Sequence, residues 1–269
     1  MVSKLFDCIT FFRENFITNI RFEILHDYVD YFVICESIYD HNGNKKDLNF
    51  KLVNKNFQKK IIYITIEFPF PKNVDSGWKR QQFQRDFILK NLKNVDKEDY
   101  IMFSDPDEIP NPKILASIKL KKKYGIFMQK HYVYKFNLYN YYDSPWEGTR
   151  ICKFRNLKSV DYMRQKVLSK NLKKWWRPDK EKSIELIHNG GWHFKDLFTP
   201  EELSMKLKTF AHKEFENEAF SNTEIIRKKI SLKTDLYNKN QFFRKEELND
   251  EFPEYILRNK DKLSEFIEE

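Results

Sequence analysis

Apolar positions along the chain fall into short continuous runs separated by amphipathic stretches. Residues 3–12, 27–37 and 59–68 are runs rich in β-branched and aromatic side chains. Runs of this length without strict alternation are typical of central parallel strands that are covered on both faces. Between the first two runs, residues 13–28 place apolar side chains near helical spacing, which predicts a helix.

The helical pattern returns in residues 78–95, where apolar side chains form one broad face. This segment follows a loop rich in Pro, Asp, Ser and Gly and precedes a fourth apolar run, residues 99–104, which ends in a cluster of carboxylates. The order strand, helix, strand, strand, helix, strand predicts an α/β domain with a mostly parallel central sheet flanked by helices.

The second half of the chain predicts further strands and then a helical end. Residues 124–142 predict one or two strands, and residues 151–156 predict another. From Thr199 onward the chain is highly charged and predicts a helical C-terminal region. Because no repeat and no convincing linker interrupts the sequence, we expect a single domain over residues 1–269.

The composition adds a basic surplus and three isolated cysteines. A formal charge of +9 implies attraction to an anionic partner, which could be nucleic acid, a phospholipid surface or a nucleoside diphosphate. Charge alone does not choose among the three. Because Cys8, Cys35 and Cys152 are widely spaced and odd in number, we expect reduced, buried thiols and a reducing compartment.

No apolar run reaches the roughly 18 residues that a membrane span requires. The first 16 residues carry Asp7 and Arg13 inside what would have to be the core of a signal peptide. These observations predict a soluble, cytoplasmic protein. Peripheral contact with the inner face of a membrane stays open.

The carboxylate cluster lies in SDPDEIP, where Asp105, Asp107 and Glu108 follow the fourth run. In open parallel sheets, ligands bind outside the carboxyl ends of the strands. Mg²⁺ and Mn²⁺ prefer oxygen ligands, which carboxylates share with substrate phosphates, and the interleaved prolines stiffen the loop. A second interpretation also stays open, in which the acids belong to the first turn of a helix that begins near Pro112.

Five segments together resemble glycosyltransferase family 17, in the order of that family, from about residue 5 to residue 216. The resemblance implies a GT-A type Rossmann-like glycosyltransferase fold and an inverting transfer. The stretch from about 150 to 185 does not match. The matching segments are LFDCITFFRE, DYVDYFVICES, WKRQQFQRDFI, SDPDEIP and GGWHFKDLFTPEELSMKLKTFAHKEF.

The resemblance further implies a donor, a metal and an acceptor. The donor is a nucleoside-diphosphate sugar, UDP-N-acetylglucosamine by default, and the acceptor is a glycan that could be lipid-linked. Mn²⁺ or Mg²⁺ would be bound by Asp105 and Asp107, with His193 or, as a reserve, His212 completing the metal shell. Residues 1–125 then form a nucleotide-binding half, residues 126–220 an acceptor half and residues 221–269 a helical tail.

The same resemblance suggests further site residues, each with a plainer alternative in core packing or as a solvated surface charge. Inverting transfer needs a carboxylate base for the acceptor hydroxyl, for which the candidates are Glu147, Asp196 and Glu214. The candidate donor-binding residues are Phe11, Phe12, Arg13, Glu36, Arg80, Arg85 and Glu108, in addition to Asp105.

Two other enzyme or binding classes compete with this interpretation. A Mg²⁺-dependent nucleotidyltransferase or phosphohydrolase would need more strand-end acids, and only Glu36 has such a position. A nucleic-acid-binding module would use the basic segment 153–177, but the acidic cluster would repel phosphate, so we expect no nucleic acid. That segment, which ends near Trp175 and Trp176, instead suggests contact with anionic lipid.

Overall fold

A computed structural model describes residues 3–209, 218–237 and 239–269. The first half contains β1 (Leu5–Phe11), α1 (Asn15–Leu25), β2 (Tyr31–Ser37), β3 (Ile61–Ile66), α2 (Gly77–Asn91), β4 (Tyr100–Ser104), β5 (Glu108–Pro110) and α3 (Pro112–Leu115). The second half contains β6 (Tyr124–Val133), β7 (Leu138–Tyr139), β8 (Trp146–Lys153), α4 (Val160–Lys166), β9 (Ile184–Ile187), β10 (Gly191–Lys195), α5 (Pro200–Thr209), α6 (Glu218–Ser221), α7 (Thr223–Ser231), β11 (Arg244–Lys245) and α8 (Glu254–Arg258).

The central sheet has the order β11-β7-β6-β8-β4-β1-β2-β3. The four strands predicted from the apolar runs, β1 to β4, are all present, and they pair in parallel as β3-β2-β1-β4. Strand β2 lies between two parallel neighbours and is almost entirely buried, as its continuous apolar run predicts. The predicted α/β class with a large central sheet is therefore confirmed.

The remainder of the sheet is mixed rather than parallel. Strand β8 runs antiparallel to both β4 and β6, while β6 accepts β9 and β10 as parallel neighbours. The expected parallel arrangement thus holds for the first four strands and for the pairs of β6 with β9 and β10, whereas β5, β7, β8 and β11 pair in antiparallel. The physical reason is that an apolar run reports burial on both faces and carries no information about the direction of the neighbouring strand.

Helices cover both faces of the sheet. One core lies between the sheet and α1, together with the end of the chain, and the other lies against α2 and α4. Residues 221–269 are helical only in part, because loops and β11 separate α7 from α8. The end of the chain returns to the first core, where the ring of Phe266 lies 4.5 Å from that of Phe16.

The three cysteines are buried and form no disulfide, which confirms the prediction of free thiols. Burial raises the pKa of the Cys152 thiol to about 12, so it stays protonated and packs as a small apolar side chain. No helix in the described ranges combines the length and the apolar character needed to cross a bilayer.

Candidate functional site

A cleft of about 500 Å³ opens at the carboxyl ends of the parallel strands β1, β2 and β4. Strand β1 contributes Phe11 at its end, and Asp105 and Asp107 follow the end of β4. The opposite wall comes from the second half of the sheet, with His131 on β6 and His193 on β10. Loops converge here because all three parallel strands end at the same edge.

The three acids of the cluster all border the cleft, but they differ in how deeply they are buried. The carboxylates of Asp105 and Asp107 are partly accessible, whereas Glu108 is the first residue of β5 and is fully buried. Helix α3 is capped by the side chain of Asn111, which accepts a hydrogen bond from the Lys113 N–H. The three acids therefore do not cap this helix, which removes the alternative interpretation of the motif.

Arg164, on α4, binds two of the three acids. Its guanidinium donates to the Asp105 carboxylate at 2.7 Å and to both oxygens of Glu108 at 2.7 and 2.9 Å. Burial by itself raises the pKa of Asp105, but the positive charges of Arg164 and Arg85 outweigh it and lower that pKa. The sequence interpretation assigned this stretch to a basic surface and missed Arg164.

Glu108 has further partners that fix the start of β5. The indole N–H of Trp146 donates to its carboxylate at 2.7 Å, and the Thr149 hydroxyl donates to its main-chain carbonyl at 3.1 Å. With Arg164 these contacts satisfy a buried carboxylate, which would otherwise be costly. Glu108 therefore positions the loop of residues 105–107. It borders the cleft with both carboxylate oxygens already bonded, and its hydrogen bond to a donor stays a prediction.

A second arginine, Arg21 on α1, holds both ends of residues 105–107, the acidic loop, from the protein interior. Its guanidinium forms a two-pronged ion pair with Asp7 on β1, at 2.6 and 2.7 Å. It also donates to the Glu108 carbonyl at 2.6 Å and to the Ser104 hydroxyl at 2.7 Å. All these groups are buried, so one side chain ties β1, the end of β4 and the start of β5 together.

The pairing of β10 explains where His193 lies. Strand β10 is antiparallel to β5 and parallel to β6, with His193 opposite Glu108 on one side and opposite His131 on the other. The two imidazole rings stack with centroids 4.6 Å apart, and His193 Nε2 lies 3.6 Å from Asp107 Oδ1. The register of three strands thus brings a carboxylate and an imidazole to one point in the cleft.

The two glycines before His193 make this close packing possible. Gly191 has a φ of +119°, and a Cβ there would lie 2.2 Å from the Ile109 carbonyl oxygen. A Cβ on Gly190 would lie 2.6 Å from the main-chain nitrogen of Met128. The close approach is between β10 and its two neighbours β5 and β6.

The side chains of Asp107 and His193 fit part of the coordination shell of a metal ion. Carboxylate oxygen and imidazole nitrogen together suit Mn²⁺, and Asp107 and His193 present both. In the described part of the chain His193 Nδ1 and both ring nitrogens of His131 are buried without a hydrogen-bond partner. Within that same part no three His, Cys, Asp or Glu side chains converge on one point, so water and donor phosphates would supply the other ligands. The reserve ligand His212 lies outside the described residues.

Asp196, one of the predicted bases, lines the cleft in a strongly cationic setting. Its buried carboxylate accepts hydrogen bonds from Lys206 at 3.0 Å and from the Tyr237 hydroxyl at 2.8 Å. Burial by itself raises the pKa of this carboxyl. The positive charges of Lys206 and Lys195 outweigh that effect and lower the pKa to about 2. A carboxylate with so low a pKa is a poor proton acceptor near neutral pH.

Glu147, a second predicted base, does not line the described part of the cleft. Glu147 follows Trp146 on β8, and because successive strand residues face opposite sides, Trp146 lines the cleft and Glu147 does not. The Glu147 carboxylate instead accepts a hydrogen bond from the Ser169 N–H at 3.1 Å. Glu214 lies outside the described residues.

Of the residues predicted to bind the nucleotide, some line the cleft and others do not. Phe11 and Phe12 line the cleft, whereas Arg13 lines a smaller neighbouring hollow. Glu36 is fully buried, and its carboxylate already accepts four hydrogen bonds, so it does not face a ligand. Its donors are Lys46 Nζ, the N–H groups of Asn49 and Phe50, and the Tyr63 hydroxyl.

Two of the predicted donor-binding residues are the arginines of α2, Arg80 and Arg85. Arg80 donates to the His41 carbonyl at 2.9 Å. Arg85 pairs with Asp161 at 3.0 Å and lies 3.9 Å from Asp105. Neither arginine lines the cleft. Arg80 therefore supports a loop and Arg85 lies behind Asp105, so a direct contact of either with a diphosphate stays a prediction.

Comparison with known proteins adds the family. The model for "Glycosyltransferase family 17" matches residues 1–246. The chain belongs to this family. Beta-1,4-mannosyl-glycoprotein 4-beta-N-acetylglucosaminyltransferases of Rattus norvegicus and Homo sapiens are each 24% identical to this family 17 chain, and each match covers 79% of the chain and 44% of the relative. The chain thus spans less than half the length of these relatives.

One solved structure is also similar, a "glycosyltransferase involved in the glycosylation of the major capsid of PBCV-1". Its TM-score is 0.28 at 10% sequence identity, and the match covers 69% of this family 17 chain and 82% of that structure.

Several residues of the cleft in this family 17 chain had no sequence prediction. His41 lies in the loop after β2, and Gln84 lies on α2. His41 Nε2 is 3.0 Å from Gln84 Oε1. Lys206 and His131 line the opposite wall. A signal existed for Arg164, which follows Met163 on a face that also includes Val160 and Val167, both buried. That spacing of i, i+3, i+4 and i+7 marks a face turned inward.

Proposed function

We propose that this family 17 chain transfers a sugar, N-acetylglucosamine by default, from a nucleoside-diphosphate sugar to a glycan acceptor with inversion at the anomeric carbon, in a GT-A type fold. The supporting observation is the pairing of Asp107 with His193, 3.6 Å apart, at the carboxyl edge of parallel strands in a family 17 chain. A cleft of about 500 Å³ is large enough for a nucleotide sugar.

The first half of the chain supplies the wall for the nucleotide. Phe11 and Phe12 at the end of β1 offer aromatic faces, and the ammonium of Lys46 lies 5.3 Å from the Phe12 ring centre. Ser37 at the end of β2 and His41 in the loop after it lie on the same wall and bring polar atoms that can receive a base or ribose. We assign the donor to this side because the ends of β1 and β2 form it.

The diphosphate would lie between the acidic loop and a cationic wall. Asp107 and His193 would hold Mn²⁺ or Mg²⁺, which supplies Lewis-acid neutralisation of the departing nucleoside diphosphate. Lys206 lines the cleft beside Asp196, and although burial lowers its pKa, the charges of Asp196 and Asp107 raise it overall. Lys206 therefore stays protonated and adds a positive charge beside the diphosphate.

The simplest test is a thermal-shift panel of nucleotide sugars with and without Mn²⁺. We expect a donor at about one hundred times its dissociation constant to raise Tm by roughly 5–10 °C, and by less when EDTA replaces Mn²⁺. UDP-N-acetylglucosamine is the first donor to test, with UDP-glucose and GDP-mannose beside it. If no nucleotide sugar stabilises the protein in the presence of Mn²⁺, the proposal is wrong.

For the proton acceptor we propose Asp143, which lines the cleft near Trp146. Its side chain is 26% exposed, so an acceptor hydroxyl can reach it. The same carboxylate pairs with Lys239 Nζ at 3.2 Å. Asp143→Asn is expected to lower kcat about a hundredfold or more while the donor-induced rise in Tm persists. Asp250→Asn, an exposed acid, serves as the control. Full turnover in Asp143→Asn would reject this assignment and leave Glu214 as the next candidate.

No second function gains support from the cleft. A nucleotidyltransferase or phosphohydrolase would require an additional acid from a neighbouring strand. The one candidate, Glu36, is fully buried and its carboxylate already accepts four hydrogen bonds. Its carboxylate therefore cannot join the acidic loop without breaking contacts within the protein interior.

A further inference from the structure

We propose that the tryptophan loop, residues 170–182 between α4 and β9, attaches the protein to anionic phospholipid surfaces. The loop presents three apolar side chains to solvent, with Trp175 84%, Trp176 60% and Leu172 41% exposed. Single exposed apolar residues are ordinary on a protein surface, but two adjacent, largely uncovered indole rings are not. The proposal does not depend on the sugar transfer proposed above.

The loop has a defined shape that keeps the indoles on the outside. The ammonium of Lys182 donates to the carbonyls of Asn171 and Lys174, each at 2.5 Å, and so closes the loop at its base. Two further turns follow, in which the Arg177 N–H bonds the Lys174 carbonyl and the Lys180 N–H bonds the Arg177 carbonyl. The Trp175 and Trp176 rings meet edge to face, with centres 6.1 Å apart, at the tip of this arrangement.

Positive charge surrounds the indoles. The tryptophan loop contains six Lys or Arg residues against two acids, Asp179 and Glu181. Asp179 already pairs with Arg177 at 2.7 Å and with Lys180 at 3.2 Å. In the described part of the chain Lys170, Lys173 and Lys174 have no carboxylate within ion-pair distance, so their charge is not neutralised by the protein.

This combination matches the chemistry of an anionic bilayer surface. Indole rings partition to the boundary between head groups and acyl chains, and nearby lysines are attracted to anionic head groups. Each lysine close to such a surface strengthens attachment by roughly fivefold. The lysines would not strengthen binding to an uncharged apolar partner, but they do strengthen binding to anionic head groups. We therefore take anionic phospholipid as the partner of the tryptophan loop.

Vesicle flotation with the full chain tests the proposal. We expect the protein to float with vesicles of phosphatidylcholine and phosphatidylglycerol at 70:30, to remain behind with pure phosphatidylcholine, and to be released as salt rises. The proposal is overturned if the protein ignores phosphatidylglycerol, or if it binds neutral vesicles equally well.

Variants locate the contact. Trp175→Ala/Trp176→Ala is expected to abolish flotation, and Lys173→Gln/Lys174→Gln to weaken it about thirtyfold. The matched controls are Trp78→Ala, an indole 55% exposed on α2, and Lys228→Gln/Lys229→Gln on α7, which should bind as the parent does.

Two further outcomes contradict the proposal. If the two loop variants float as well as the parent, the contact lies elsewhere on the protein. If a single-stranded oligonucleotide binds through the same tryptophans and displaces the vesicles, the loop is a nucleic-acid site instead. Asp107→Ala is expected to float normally, so a failure of sugar transfer and a failure of membrane attachment are separately visible.

Discussion

Replacing Asp107 with alanine is expected to lower sugar transfer by at least about a hundredfold, since metal assistance to a leaving diphosphate contributes several kcal/mol. The reason is its position, because Asp107 lines the cleft and lies 3.6 Å from the imidazole of His193. The rise in Tm that we expect from a nucleotide sugar with Mn²⁺ should be absent in the same variant. Turnover with a radiolabelled donor and thermal shift measure the two effects.

Asp105→Ala is the informative companion. Because Asp105 is bonded to Arg164 at 2.7 Å, this change removes a partner from a buried guanidinium, and it should lower the Tm of the protein without ligand. Asp107→Ala breaks no ion pair with an arginine and should leave that Tm nearly unchanged. Asp261→Ala, an exposed acid, is the control for both. If Asp105→Ala alone abolishes Mn²⁺-dependent donor binding, the metal assignment to Asp107 is wrong.

Replacing Arg21 with alanine is expected to reduce the free energy of unfolding by about 3–5 kcal/mol. The loss is large because Asp7 would remain as an uncompensated buried carboxylate, the Ser104 hydroxyl would lose the hydrogen bond from Arg21, and the Glu108 carbonyl would lose one of its two donors. Urea unfolding followed by circular dichroism measures it. Arg21→Lys should recover only part of the loss, since an ammonium cannot form the two-pronged contact.

Arg258 offers the matched control for Arg21. It is also a helical arginine with a carboxylate partner, Glu254, but its side chain is 74% exposed. Such surface pairs contribute roughly 0–1 kcal/mol, so Arg258→Ala should hardly change the urea midpoint. If Arg21→Ala costs no more than Arg258→Ala, then the buried ion pair does not hold the acidic loop as described.

The parts of the fold that were predictable are those in which local pattern and burial coincide. Strands β1 to β4 could be predicted from their apolar runs, and α2 from its amphipathic pattern, because the regular burial of each element is visible in its own sequence. The positions of Asp105 and Asp107 at a strand end followed from the same pattern. Strand direction in the second half did not, because a buried run looks alike in either direction.

The supporting residues of the site were hidden by sequence distance. Arg164 lies 59 residues from Asp105, and Tyr237 lies 41 residues from Asp196. A lysine-rich context made Arg164 look like one more surface charge, although the apolar residues around it on α4 point inward. For Glu147 the sequence did not show on which face of β8 its side chain lies, because β8 begins one residue earlier, directly after Pro145.

The acidic loop is also a spacer of fixed length between two halves of the molecule. Residues 105–107 connect β4, which belongs to the parallel half, to β5, which pairs with β10 on the other side of the cleft. Because strand side chains alternate with a period of two, one added residue would turn the β5 side chains to the opposite faces or displace β10 along β6. Asp107 and His193 would then separate. The loop therefore admits changes of residue more readily than changes of length.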